Sequence, residues 1–186
     1  MNSTERITVA GFGGQGVMMI GQLLAYTGNE KGLNCLWFPS YGPETRGGTA
    51  NCAVIISEQT INSPVFARAD TLIIMNKPSL VKFQTKVMDN GIILYNSSLI
   101  DSEVESPAKV YPIPANDLAI QIGNPKVANM VMLGAYLAAK EIFTFEEMAH
   151  TLELFLGESK KHLLEIDLKA LKAGYDLIKG GKDVTD

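Results

Sequence analysis

The sequence predicts an α/β chain built in three layers, an open mixed sheet with helices on both faces. Three observations predict it. Short aliphatic and β-branched runs bounded by Gly, Pro, Asn or Ser alternate with longer helical stretches. A glycine turn, Gly11-Phe12-Gly13-Gly14-Gln15-Gly16-Val17, joins the apolar run Ile7–Ala10 directly to the helical run Met18–Tyr26. The run Ala50–Ser57 follows a Gly-rich loop with no crossover helix before it, so the sheet is mixed rather than purely parallel.

In chain order, strands are predicted at Ile7–Ala10, Asn34–Phe38, Ala50–Ser57, Thr71–Met75, Ile92–Tyr95 and Lys109–Pro112. These runs are short and almost continuously apolar, as strands buried on both faces are. Helices are predicted at Val17–Lys31, Ser79–Val87, Asn116–Ile122, Lys126–Ile142, Phe145–Leu156 and Lys160–Lys179. Thr144-Phe145-Glu146-Glu147 forms a capping box, in which Thr144 accepts from the Glu147 N–H while Glu147 reaches back. Along the last helix Leu164, Leu168, Leu171, Tyr175 and Ile178 recur at four- and three-residue steps, a stripe suited to docking on the sheet. A second, less regular set, Leu163, Ile166 and Leu177, is free to face a partner. Pro64, Pro78, Pro107 and the pair Asn124-Pro125 punctuate loops and helix starts, where a missing N–H costs nothing.

Composition narrows the function. With 186 residues, 46% of them apolar, the chain is long enough for one well-buried domain spanning residues 1–186. Sixteen basic against twenty acidic residues, with no basic run, argue against a nucleic-acid partner. Cys35 and Cys52 stand alone, each in a predicted strand, and read as buried free thiols in a reducing compartment; neither can hold a cluster or zinc unaided. His150 and His162 carry no metal-ligand spacing and read as surface residues. The start lacks the pattern of a signal peptide, and the apolar stretch Met130–Ala139 falls far short of the roughly 20 residues of a membrane span. A cytoplasmic protein is expected.

The glycine turn carries the chemistry. Gly11, Gly13 and Gly16 fit G-x-G-x-x-G between a strand and a helix, and a helix start presents unpaired N–H groups and partial positive charge to a phosphate. The acid that would hold the ribose hydroxyls of NAD, expected about 20 residues on, is missing from Leu33 to Tyr41. Instead Arg46 arrives in Ser40-Tyr41-Gly42-Pro43-Glu44-Thr45-Arg46-Gly47-Gly48, where an arginine fork suits an extra phosphate. NADP and coenzyme A both meet that description. Asn129, just after Gly123-Asn124-Pro125, sits near a helix start and either bonds local backbone or faces a ligand.

Those two glycine segments, followed in order by Ala69-Asp70, Gly91–Asn96 with Ser97-Ser98, Ile113-Pro114-Ala115 and Asn129-Met130-Val131-Met132-Leu133-Gly134-Ala135, resemble the gamma subunit of the 2-oxoacid:ferredoxin (acceptor) oxidoreductases. The resemblance implies a Rossmann-like gamma domain in a complex that oxidatively decarboxylates a 2-oxoacid, 2-oxoglutarate being the nearest subclass, to an acyl-CoA. It further implies thiamine-binding alpha and beta subunits and a ferredoxin-like delta subunit, which carry thiamine diphosphate, Mg and the iron–sulfur clusters. This chain would hold no redox centre, contribute no catalytic residue and be inactive alone, with self-pairing of the isolated chain left open. By motif matching Gly13, Gly14, Gln15 and Gly16 would face coenzyme A, Thr45, Arg46 and Gly47 would lie near its phosphates, and Asn129 would hydrogen-bond it. One departure is Glu44, which repels a phosphate where single-chain pyruvate relatives carry lysines. The alternatives are a self-contained NADP-dependent oxidoreductase or nucleotide-binding module, and an interaction protein without a ligand.

Overall fold

The apolar runs become β1 (Thr4–Phe12), β2 (Asn34–Tyr41), β3 (Thr49–Ser57), β4 (Ala69–Ile74), β5 (Val87–Asn96) and β6 (Lys109–Ile113). Between and after them lie α1 (Val17–Glu30), α2 (Lys77–Phe83), α3 (Ala115–Ile122), α4 (Ala128–Lys140), α5 (Phe145–Leu156) and α6 (Leu164–Gly180). The computed structural model describes residues 4–42 and 49–180. The sheet order is β2-β3-β1-β4-β5-β6. Strands β1, β4, β5 and β6 run parallel, whereas β3 is antiparallel to both β1 and β2. The mixed sheet expected from the missing crossover helix is therefore present.

Strand order reverses at β1. The chain leaves β1 through α1 to the β2–β3 hairpin on one side, then places β4 on the other. Such a reversal opens a crevice at the carboxyl ends of the two diverging strands. Here those ends are Phe12 of β1 and Ile74 of β4, in register through Ala10↔Ile74.

Helices cover the two faces unequally. One face buries Ile7, Val9, Cys52, Val54, Ile73 and Leu94 under α1, α3, α4, α5 and α6. The other buries Ala10, Leu72, Ile74, Ile93 and Tyr95 under Leu80 of α2 and the loop residues Phe66, Ile100 and Ala108. β2 is an edge strand, so Pro39 with its missing N–H is tolerated there. Among the described residues no helix is long and apolar enough to cross a membrane.

Several elements depart from expectation for local reasons. α2 begins at Lys77, not Ser79, because the Asn76 side chain accepts from the Ser79 N–H and Pro78 fits the first turn. It ends at Phe83, and Val87 belongs to β5, where it pairs with Ala69 before a register shift. The helix predicted over Lys126–Ile142 is a 3-10 turn, Pro125–Val127, followed by α4, which stops where Glu141 turns left-handed at φ 56°. The last helix likewise opens with a 3-10 turn, Glu158–Leu163. Its inward seam is Asp167, Ala170, Leu171, Gly174 and Ile178, with Leu164, Leu168 and Tyr175 only half-buried. α6 docks on α4 rather than on the sheet, because small residues let the two backbones touch. A Cβ on Gly174 would collide with the Val131 carbonyl, and one on Gly134 with that of Leu171. Cys35, expected to be buried, is half-exposed on the edge strand. The capping box at Thr144 forms as read, with Glu147 N–H to Thr144 Oγ1 at 3.1 Å and Thr144 N–H to Glu147 at 2.8 Å.

Two stability predictions follow from this packing. Gly134→Val or Gly174→Val forces the α4–α6 backbones apart and should destabilise the fold by about 3 kcal/mol or more in urea unfolding. Burial raises the carboxyl pKa of Asp167 above its ordinary 3.8. The folded state therefore binds a proton more tightly than the unfolded chain. The stability this lends is complete below pH 3.8 and is lost as pH rises through the folded value. Asp167→Asn should accordingly melt above wild type at neutral pH, the gap closing on acidification, as calorimetry across about pH 3 to 8 would show.

Candidate functional site at the β1–β4 switch point

The loop after β1 is shaped by where side chains are forbidden. Gly16 caps α1 at φ 74°, and Gly14 lies at φ 92°, both left-handed conformations that disfavour a Cβ. No side chain caps α1 and no acid stands in its first turn, so its positive end is left to whatever lies outside. A Cβ on Gly13 or Gly14 would meet nothing within 4 Å among the described residues, so the space over the loop is free of their side chains.

On the inner side the loop is tightly held. Gln15 folds back so that its Oε1 accepts from the Phe12 N–H at 2.7 Å and from Asn76 Nδ2 at 2.9 Å. Gly11 is glycine for that reason, since a Cβ there would stand 2.7 Å from Gln15 Oε1 and 2.8 Å from the Met75 Cβ. Asn129, 6% exposed in the first turn of α4, packs its amide over Gly16, where a Cβ would overlap it, and its Nδ2 lies 3.8 Å from Met19 Sδ. Four glycine-loop residues and an amide 113 positions later thus meet at one end of the sheet.

Gly13, Gly14, Gln15, Gly16 and Asn129 are therefore brought together. Thr45, Arg46 and Gly47, with Glu44, lie outside the described residues. The residues on either side of that segment stand beside the glycine loop: Gly42 N–H donates to the Thr49 carbonyl at 2.9 Å, and Thr49 pairs with Phe12.

Three amides that sequence reasoning passed over complete the crevice. Asn76 follows β4 and Asn96 ends β5, both at carboxyl ends of parallel strands. Asn96 Nδ2 donates to the Met75 carbonyl at 3.3 Å and to Asn116 Oδ1 at 2.7 Å, while its buried Oδ1 meets no donor among the described residues. The signal was available: an asparagine directly after an aliphatic strand, twice, in Ile73-Ile74-Met75-Asn76 and Ile93-Leu94-Tyr95-Asn96. These side chains are neutral, so among the described residues the crevice is lined by oriented dipoles rather than by titrating groups.

Other chemistry-bearing residues stand apart. Burial pushes the Cys52 thiol up to about 12 and that of Cys35 up to about 11, so neither is a thiolate nucleophile. His150 and His162 are exposed. Among the described residues no three His, Cys, Asp or Glu side chains converge as a metal site would require. A cavity of about 500 Å³ lies at the opposite end of the sheet, lined by Glu5, Lys31, Lys140 and Glu141 among others. Four of its charged residues are paired, through Lys140–Glu5 at 3.0 Å, Lys31–Glu147 at 2.9 Å and Lys179–Glu141. Desolvation nonetheless raises the Glu5 pKa against the pull of Thr71 and Lys140.

Comparison with known proteins places this geometry in a family. The family model described as pyruvate ferredoxin/flavodoxin oxidoreductase matches residues 6–177. The ketoisovalerate oxidoreductase subunit VorA of Methanothermobacter marburgensis is 37% identical over 171 residues, covering 92% of this chain and 36% of VorA. The chain thus spans about a third of the length of that relative. The 2-oxoglutarate synthase subunit KorC of Methanocaldococcus jannaschii is 31% identical over 182 residues, covering 94% of each chain. Among solved structures, the gamma subunit of a keto/oxoacid ferredoxin oxidoreductase from Geobacter sulfurreducens superposes with a TM-score of 0.81 at 25% identity, covering 95% of this chain and 99% of that one. The 2-oxoglutarate:ferredoxin oxidoreductase of Magnetococcus marinus shares the fold with a TM-score of 0.87 at 23% identity, over 97% of this chain and 32% of that one. With a match across nearly its whole length, the chain belongs to the pyruvate ferredoxin/flavodoxin oxidoreductase family.

Proposed function

We propose that this chain is the gamma subunit of a 2-oxoacid:ferredoxin oxidoreductase, and that its glycine loop forms one wall of a coenzyme A site. The observation that carries the reading is the space over Gly13 and Gly14, free of side chains among the described residues, at a helix start with no side-chain cap and no acid in its first turn. Backbone N–H groups there suit the phosphates of the coenzyme. Gln15 and Asn129 flank that space with amide donors, and Thr45, Arg46 and Gly47 add a cation and further backbone in this reading. The ligand named for the Magnetococcus complex, coenzyme A, has the chemistry such a wall would take.

Decarboxylation and electron transfer belong, in this reading, to partner chains holding thiamine diphosphate, Mg and iron–sulfur clusters. The alpha and beta subunits would bind the thiamine, and a ferredoxin-like delta subunit would carry electrons. This chain binds and orients the acyl acceptor and shields one side of it from water.

For the substrate, the end-to-end match with KorC supports 2-oxoglutarate. A branched-chain 2-oxoacid is the second reading, favoured by the higher identity to VorA. The complex, purified through a tag on this chain from its native cell, should contain thiamine-binding and ferredoxin-like chains in fixed ratio. It should also reduce ferredoxin with a 2-oxoacid and coenzyme A. Recovery of the chain alone, or turnover of NADP by the lone chain, overturns the proposal. A higher kcat/KM for 2-oxoglutarate than for 2-oxoisovalerate decides the substrate, and the reverse order selects the second reading.

The cradle has its own test. Gly13 has no left-handed φ and nothing near its Cβ position, so Gly13→Val should leave Tm unchanged while raising the KM for coenzyme A by about tenfold or more. An unchanged KM would show that no ligand lies over the loop. Arg46→Ala should raise the same KM.

A further inference from the structure

We infer that Asn76 is a positioning residue of the glycine-loop site: it holds the Gln15 amide in the one orientation that offers donors to the ligand. The inference rests on reading the loop as a coenzyme cradle, and it assigns a role to a residue that no motif in the sequence marks.

The orientations of both amides are dictated by backbone. The Phe12 N–H lies 2.7 Å from one terminal atom of Gln15, and an N–H only donates, so that atom is the oxygen. At the other end the Ser79 N–H lies 3.0 Å from one terminal atom of Asn76, which is likewise the oxygen. The remaining Asn76 atom is then Nδ2, and it points at Gln15 Oε1 across 2.9 Å. Two main-chain donors, one in β1 and one in the first turn of α2, thus orient both amides through a single bond between them. Asn76 is 3% exposed, so water does not replace that bond.

The consequence falls on the atom left over. Both acceptor directions of Gln15 Oε1 are occupied, while Gln15 Nε2 keeps two N–H donors with no acceptor among the described residues. Beside it stand the uncapped N–H groups that open α1. A flipped Gln15 would turn an oxygen toward the ligand and an amide group against the Phe12 N–H, two donors face to face. Asn76 adds a second acceptor requirement at the same point. The Gln15 amide therefore presents donors only, and a ligand group that meets it must offer acceptors, as the phosphate and carbonyl oxygens of coenzyme A do.

A purely structural asparagine at this position would do no more than cap α2. Asn76→Asp separates the two roles. Aspartate caps a helix as well as asparagine, so the Ser79 bond and the fold are kept, but neither carboxylate oxygen donates to Gln15. In the complex purified with its partner chains, Asn76→Asp should raise the KM for coenzyme A by about five- to tenfold while kcat stays at the wild-type value, and a Tm lowered by the buried carboxylate, read separately by calorimetry, leaves that split intact. Gln15→Ala should raise it at least as much. In the double variant Asn76→Asp should add no further rise, because its effect passes through Gln15.

A rise in KM on Gln15→Ala with none on Asn76→Asp overturns the positioning role and leaves the cradle standing. An equal rise on Asn76→Asp with and without Gln15 would mean that the new charge repels the ligand directly, which also overturns it. If neither single variant moves the KM while Gly13→Val raises it, the positioning role fails and the cradle stands; if none of the three moves it, both fail.

Discussion

The reversal of strand order at β1 is the constraint on which the rest of the site depends. With β3 antiparallel on one side and β4 parallel on the other, the connection from β1 to α1 turns at the carboxyl end of β1, where the strand order reverses. That turn has to leave a strand and enter a helix within four residues, Gly13 to Gly16. Two of the four take left-handed φ, which glycine adopts at little cost. The same bareness that permits the turn leaves the N–H groups of the helix start without a side-chain cap, so in the proposed reading the turn and the anion-binding wall are one structure.

A bare loop of this kind would be loose without inward bonds. Gln15 supplies them by folding back on Phe12, and Asn76 couples that fold to the start of α2. Asn96 repeats the device one strand further on, tying the Met75 carbonyl to Asn116 of α3. Each parallel strand that borders the crevice thus ends in an amide that reaches sideways to its neighbour. From the other side α4 lays Asn129 over Gly16. α4 occupies that position because it is buried from Ala128 to Ala138 and lies between the sheet and α6, with Gly134 and Gly174 allowing near-backbone contact. A packing feature far from the loop therefore sets the height of one of its walls.

Much of this was legible in the sequence, and the parts that were not have physical reasons. Strand runs such as Thr71–Met75 and Ile92–Tyr95 were readable because burial on both faces leaves little but aliphatic residues. The glycine turn was readable because strand, turn and helix adjoin within a few residues. The ends of elements were harder. Val87 reads as the tail of a helix because its strand partner, Ala69, is remote in sequence, and the register shift after it breaks the run. The α6 stripe was legible in part: Leu171 and Ile178 are buried in the seam and Leu164, Leu168 and Tyr175 pack half-buried beside it, but hydrophobicity misses Ala170 and Gly174, which close helix packing selects. In the site, glycines announce themselves by type, but Asn76 and Asn96 are ordinary residues whose importance lies in what they reach. Asn129 stood between two readings in the sequence, and the structure puts its amide on Gly16, 113 residues away.

The polarity of the crevice separates recognition from chemistry. A group that moves protons near neutral pH must titrate there, and a nucleophile must be activated by a base or a lowered pKa. Gln15, Asn76, Asn96, Asn116 and Asn129 do neither, and both thiols of the chain are pushed away from reactivity by burial. What such a set does well is hold oriented dipoles against a fixed charge without reorganising and without changing protonation state. An acceptor-rich ligand is then bound equally through the reaction, which tunes occupancy and alignment rather than the barrier itself. A wall of this kind is useful only when something reactive faces it. In the proposed reading this is one half of a site, in which the amides of this chain would fix where the ligand lies and the opposing surface would determine what happens to it.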